Sequence, residues 1–90
     1  MPTLKFTPAL RRFFPNLREI EVEATTVKDA LQDAEKAFPG ILTYLMEDGG
    51  RLRKHVNIFV GGELIKDRET LEDPLARQAD VLIFQALSGG

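Results

Sequence analysis

The chain has 90 residues, 12 Lys and Arg against 14 Asp and Glu, a formal net charge of −2 and no cysteine. That length suits one domain with a single modest core, and the missing cysteines exclude disulfides, thiolate metal sites and a thiol nucleophile. The slight negative charge disfavours a dedicated nucleic-acid binder, and no apolar run approaches the roughly 20 residues of a membrane helix or follows a charged leader; the expectation is a cytoplasmic domain without membrane contact.

Thr3-Leu4-Lys5-Phe6-Thr7 alternates polar and apolar residues, which predicts a half-buried strand. Pro8, with no N–H for a ladder, ends it. Residues 9–16 read as a loop carrying Arg11-Arg12, Phe13-Phe14 and the turn pair Pro15-Asn16. Residues 18–24 alternate strictly, with Ile20, Val22 and Ala24 on one face and Glu19, Glu21 and Glu23 in water, so the two strands read as a hairpin. Thr26, followed three residues later by Asp29, opens a helix with a capping-box pattern. Val27, Ala30, Leu31, Ala34, Ala37 and Phe38 fall on one stripe; Lys28, Asp29, Gln32, Asp33, Glu35 and Lys36 cover the other side. Pro39-Gly40 closes it. At roughly 1.5–3 kcal/mol per buried large side chain, Leu31 and Phe38 are expected among the main core anchors.

Residues 41–46 are apolar and predict a single helical turn before Asp48-Gly49-Gly50. A strand over 55–60, a two-residue turn at Gly61-Gly62 and a short edge strand over 63–65 follow. Residues 67–79 are polar and irregular, with Leu71 and Leu75 as core plugs, and Asp80 starts a last strand running to Ala86. The order β-β-α-β-β-β, with one main helix crossing a mixed sheet of four to five strands, predicts an α+β two-layer domain. The continuously apolar last strand belongs in the middle of the sheet beside the first. That arrangement is the β-grasp, or ubiquitin-like, fold. Residues 1–86 are expected to form the domain and residues 87–90 a flexible tail.

A sheet covered by a helix on one face should be polar on the other, yet both parities of the last strand are apolar. If Val56, Ile58, Val60, Val81 and Ile83 lie under the helix, then Phe59, Leu82 and Phe84 lie on the open face, leading to Leu87 and the tail. Such a patch marks a protein contact site, unless the loop with Phe13 and Phe14 folds over and buries it. Four residues past Ala86 reach roughly 13–14 Å when extended. The closing pair Gly89-Gly90 has no Cβ, so it can thread a channel too narrow for other residues. The α-carboxylate at the end of that channel becomes reactive once ATP converts it to an acyl-adenylate, which a thiol, persulfide or amine can attack.

Thr26 with Leu31, the run Phe38-Pro39-Gly40-Ile41, the stretch RKHVNIFV over 53–60 and the terminal Gly89-Gly90 resemble the ubiquitin-like sulfur-carrier proteins over nearly the whole chain. That group includes the small subunit of molybdopterin synthase and the thiamin and cysteine-biosynthesis carriers; the pattern is most similar to the thiocarboxylate-dependent cysteine carriers. The sequence departs from it at RQAD before the last strand and at QALSGG, where a proline- and alanine-rich approach is usual. The resemblance implies that a ubiquitin-activating-type enzyme adenylates Gly90 and that a sulfur source converts it to a thiocarboxylate. Gly89 would be the tail spacer, and Phe59, Leu82, Phe84 and Leu87 the docking contacts. The chain would then be a monomeric substrate rather than an enzyme. It would bind no cofactor itself, since ATP and metal are used by the activating partner, and a sulfur-accepting synthase would be the second partner. Two other readings share these features: a protein modifier joined through Gly90 to lysines, and a non-covalent β-grasp interaction module.

Other constellations point to structure rather than chemistry. His55 is the only histidine and reads as a surface residue at a strand start. Arg51, Arg53, Lys54 and His55 form a basic run that reads as a solvated loop, with RNA or an acidic partner as the functional alternative. Gly61-Gly62 lies between strands, so it is a hairpin turn rather than a phosphate loop. The three glutamates on one flat strand do not converge as an oxygen-ligand cage must, and no metal site is expected.

Overall fold

In the computed structural model, described for residues 1–85, a five-stranded sheet carries two helices on one face. The strands are β1 (Thr3–Phe6), β2 (Ile20–Glu21), β3 (Val56–Val60), β4 (Glu63–Leu64) and β5 (Asp80–Gln85), in the order β2-β1-β5-β3-β4. β5 is central, parallel to β1 and antiparallel to β3, as its apolar run predicts. The fold is the β-grasp.

Helix α1 (Val27–Ala37) starts at Thr26, whose hydroxyl accepts from the Asp29 amide at 3.2 Å. Val27, Ala30, Leu31, Ala34 and Phe38 are buried against Leu4, Val56, Ile58, Val81 and Ile83, forming one core between helix and sheet. Ala37 departs from the predicted stripe and is exposed. The short helix α2 (Ile41–Leu45) follows through Gly40, held at φ +97°, a left-handed conformation that favours glycine. The Glu35 carboxylate accepts from the Gly40 and Leu42 amides at 2.8 and 2.9 Å, tying α1 to α2. Those two backbone hydrogen bonds, Gly40 first, hold its carboxyl below the ordinary range.

Three expectations need correction. Residues 9–16 are not all loop: Pro8–Arg12 forms a 3-10 turn with Leu10 fully buried, and Pro8 sits where its missing N–H costs nothing. The second strand is ladder-paired only at Ile20–Glu21, because its partner β1 begins at Thr3, opposite Glu21. One further bond, from the Val22 amide to the Pro2 carbonyl, closes that edge before the chain turns toward α1. Its alternation nevertheless holds, with Val22 and Ala24 buried and Glu19, Glu21 and Glu23 exposed. The edge strand after Gly61-Gly62 is likewise two residues long, and Ile65 turns inward into the core.

The irregular stretch before β5 is held by local polar contacts. Leu71 is buried as a plug, at φ +60°. Asp73 accepts from the Lys66 and Asp67 amides. The Arg68 guanidinium donates to the Arg53 and Val56 carbonyls and to the Asn57 side chain, clamping the turn that leads into β3. Among the described residues no helix is long and apolar enough to cross a membrane.

Candidate functional site

The register of β5 decides which side chains reach the open face. Val81 and Ile83 are fully buried toward the helices; Leu82 and Phe84, of opposite parity, therefore stand on the other face. Phe59 pairs with Leu82, Asn57 with Phe84, and Lys5 with Leu82 from the β1 side. Phe59 also pairs with Leu64 across the Gly61-Gly62 hairpin, which adds Leu64 to the same row. Phe84 is 38% exposed and Leu64 55%, while Phe59 and Leu82 are half-buried. The Phe59 and Phe84 rings meet edge to face with centroids 6.5 Å apart.

The loop that could have covered this face lies on the other layer. Phe13 packs on the Tyr44 ring of α2 at 4.8 Å, and Phe14 meets the same ring edge-on at 5.9 Å. The open face thus keeps a shallow apolar depression lined by Phe59, Leu82 and Phe84, with Lys5, Asp80 and Gly62 at its border. Lys5 and Asp80 approach to 3.7 Å there, Lys5 half-buried and Asp80 exposed. Leu64 was not singled out from the sequence. The signal was present, since a two-residue turn at Gly61-Gly62 sets Phe59 opposite Leu64, but a two-residue edge strand gives no periodicity to read.

β5 ends one residue past Phe84 of this patch. At Gln85, the last described residue, the amide reaches the Thr7 hydroxyl at 3.5 Å and the side-chain Nε2 donates to the Tyr44 hydroxyl at 3.0 Å. Gln85 is thereby held from both layers, and its buried Oε1 has no partner among the described residues. The residues assigned from the sequence to the tail chemistry, Gly89 and Gly90, and the docking residue Leu87 lie outside the described residues, as does Ala86.

The remaining sequence candidates fall where no chemistry assembles. His55 is exposed immediately before β3. The basic run is only partly a solvated loop: Arg51 pairs with Glu47 at 3.2 Å, and the Arg53 guanidinium donates to the Thr43 carbonyl at 3.1 Å. Gly61 and Gly62 adopt φ +59° and +87°, the conformation of a tight hairpin turn. Among the described residues no cluster of His, Asp or Glu could hold a metal ion.

Comparison with known proteins places this geometry. A family model described as the ThiS family matches residues 11–90. No curated protein sequence matches significantly. Among solved structures, a chain of the BexX/CysO complex of Amycolatopsis orientalis superposes with a TM-score of 0.84 at 23% identity, covering 100% of both chains. CysO of Mycobacterium tuberculosis gives 0.81 at 25% identity over 97% of this chain and 100% of that one. SAMP1, the small archaeal modifier protein 1 of Haloferax volcanii, gives 0.77 at 25% identity over 99% and 98%.

Proposed function

The chain belongs to the ThiS family of ubiquitin-like sulfur carriers, and from that membership we propose that it carries sulfur as a thiocarboxylate on Gly90. The observation that carries this reading is the pairing of an uncovered apolar patch with a central strand that hands the chain directly to a Gly-Gly end. The folded body acts as a handle. Phe59, Leu82, Phe84 and Leu64, with Leu87 beyond them, dock on an adenylating enzyme of the ubiquitin-activating type, and Gly89 lets the terminus enter its channel.

Chemistry then proceeds on the carboxyl group of Gly90. One carboxylate oxygen attacks the α-phosphorus of ATP held by the partner, and pyrophosphate leaves. Hydrosulfide attacks the carbonyl carbon of the resulting acyl-adenylate, AMP leaves, and the terminus becomes –COS⁻. In the acceptor enzyme this sulfur attacks an electrophilic carbon of the substrate, and the leaving group on that carbon departs with its bonding electron pair. Water then cleaves the acyl–sulfur bond, which leaves sulfur on the acceptor and regenerates the carboxylate. The chain has no cysteine, so no internal thiol can capture the activated terminus. ATP and its metal belong to the partner, and the chain is a substrate rather than an enzyme.

The likeness to small archaeal modifier protein 1 favours one second reading. In that reading the acyl-adenylate of Gly90 is captured by a lysine amine to give an isopeptide. Both readings require a free Gly90. Deleting Gly90, or extending the chain beyond it, is expected to abolish ATP–pyrophosphate exchange by the activating enzyme. Exchange at the wild-type rate with an uncleaved extension would eliminate both and leave a non-covalent interaction module.

A further inference from the structure

Charge on this molecule is segregated along the strand direction, and the segregation follows from the topology. β1 runs parallel to β5, and β3 runs antiparallel, with Val56 opposite Gln85. The connections that open at the Gln85 end are therefore the one after β1 and the one before β3. The first carries Arg11, Arg12 and Arg18; the second carries Arg53, Lys54 and His55. All six are exposed. The far end holds Glu21 and Asp80, both paired with Thr3, Glu63 paired with Val60, and Glu23, with Arg77 in the turn before β5.

Two of the cations at the Gln85 end, Arg18 and Arg53, are held by contacts within the fold. The ion pairs among the described residues are Lys5–Asp80 and Arg51–Glu47, so none of these cations is neutralised by one. Arg18 lies over the Phe38 ring at 5.5 Å, and Arg53 is fixed on the Thr43 carbonyl. Arg68 clamps the 53–56 turn through two backbone carbonyls. Phe13, 57% exposed on Tyr44, stands beside Arg12. Acids also stand near this end: Glu19, Glu35, bonded to the Gly40 and Leu42 amides, and Glu47 and Asp48, which line one surface hollow with Arg53, Lys54 and His55, Glu47 being tied to Arg51.

We infer that these residues form a basic collar around the root of the tail, and that the collar seats on an acidic rim at the mouth of the activating enzyme's channel. This rests on the carrier reading: a tail that enters a channel brings the collar against the channel mouth. Charge complementarity then acts where orientation matters most, steering the chain end first and repelling approach by the acidic end. The apolar patch on the open face and the collar at the strand ends are separate contacts, one dry and salt-insensitive, the other electrostatic. The acidic far end and net charge of −2 favour a protein rim over a nucleic acid as the occupant.

The test uses the full chain and the activating enzyme of its own host. Binding is read by calorimetry at low and high salt, and adenylation by pyrophosphate release. Arg11→Glu with Arg12→Glu, and separately Arg53→Glu with Lys54→Glu, are expected to weaken binding about tenfold or more at low salt. They should flatten its salt dependence and raise KM with kcat little changed. Glu21→Lys with Glu23→Lys at the far end should leave affinity equal or tighter. Unchanged affinity and salt dependence in both collar pairs would overturn the collar. So would collar variants that keep enzyme affinity but lose binding to host tRNA, which would assign the surface to nucleic acid. Wild-type binding without pyrophosphate release would overturn the carrier reading instead, while the salt and variant series still decides the collar. Absence of wild-type binding would overturn both.

Discussion

The Asp67 carboxylate accepts from the Thr70 hydroxyl and from the backbone amides of Glu69, Thr70 and Glu72, closing the loop that brings Leu71 into the core. These bonds favour the ionised form, the Thr70 hydroxyl most, then the Thr70 amide, and hold the carboxyl well below its ordinary value of 3.8. The folded pKa is depressed, so this stabilisation is fully present above 3.8 and is lost as pH falls toward the folded value. Glu35 adds a contribution of the same sign around its own ordinary value of 4.5. Thermal melts should therefore lose some stability progressively below about pH 4. Asp67→Asn should lower the melting temperature at neutral pH and make the acid limb shallower. An unchanged acid limb in that variant would show that the loop does not depend on the carboxylate. From the sequence, residues 67–79 read as irregular with two apolar plugs; the Asp67 and Asp73 hydrogen bonds depend on loop geometry that composition does not encode.

Among the elements, α1 contributes the helical wall of the core. Leu31, 2% exposed, sits on its buried stripe, and Leu31→Ala should cost about 2–5 kcal/mol in chemical denaturation. Lys28→Ala on the exposed side should change stability by less than about 0.5 kcal/mol. α1 was legible because its stripe repeats long enough to fix a period, and β3 and β5 because each is an apolar, β-prone run bounded by turn residues. Of the shorter elements, β1, α2 and β4 were placed from alternation, an apolar turn and a hairpin signal, while the 3-10 turn and the true extent of β2 were not. PALRR carries no period that separates a 3-10 turn from a loop, and β2 is shortened by where its partner β1 begins, a fact of pairing rather than of its own residues. The open-face assignment of Phe59, Leu82 and Phe84 followed from parity alone. Whether the loop over 9–16 covers them depended on where Phe13 and Phe14 found a partner, and Tyr44 on α2 provides it.

At the scale of the molecule, the proposed function assigns stability to the helix-side core and recognition to the open face. Phe84 is 38% exposed and its aromatic contact among the described residues is with Phe59, so Phe84→Ser should lower stability by about 1–2 kcal/mol, less than Leu31→Ala. Its KM with the activating enzyme should rise about tenfold or more, as for an aromatic anchor at the centre of an interface. A variant that loses stability but keeps KM would place Phe84 in the fold rather than the interface. The charge segregation was invisible before the topology was known, because Arg11 and Arg12 lie far in sequence from Arg53 and Lys54 and meet only through the parallel pairing of β1 with β5. The tail chemistry, by contrast, is proposed from Gly89-Gly90, which lie outside the described residues, together with the patch on the open face and the family match.

Intact-mass spectrometry of the chain, after incubation with its host activating enzyme, ATP and sulfide, tests the central claim most directly. A mass gain equal to the exchange of one oxygen for one sulfur, located at Gly90 by fragmentation and absent without ATP, is the expected result. An unchanged mass under conditions where the enzyme modifies its other substrates, or the same gain in a chain lacking Gly90, would contradict it.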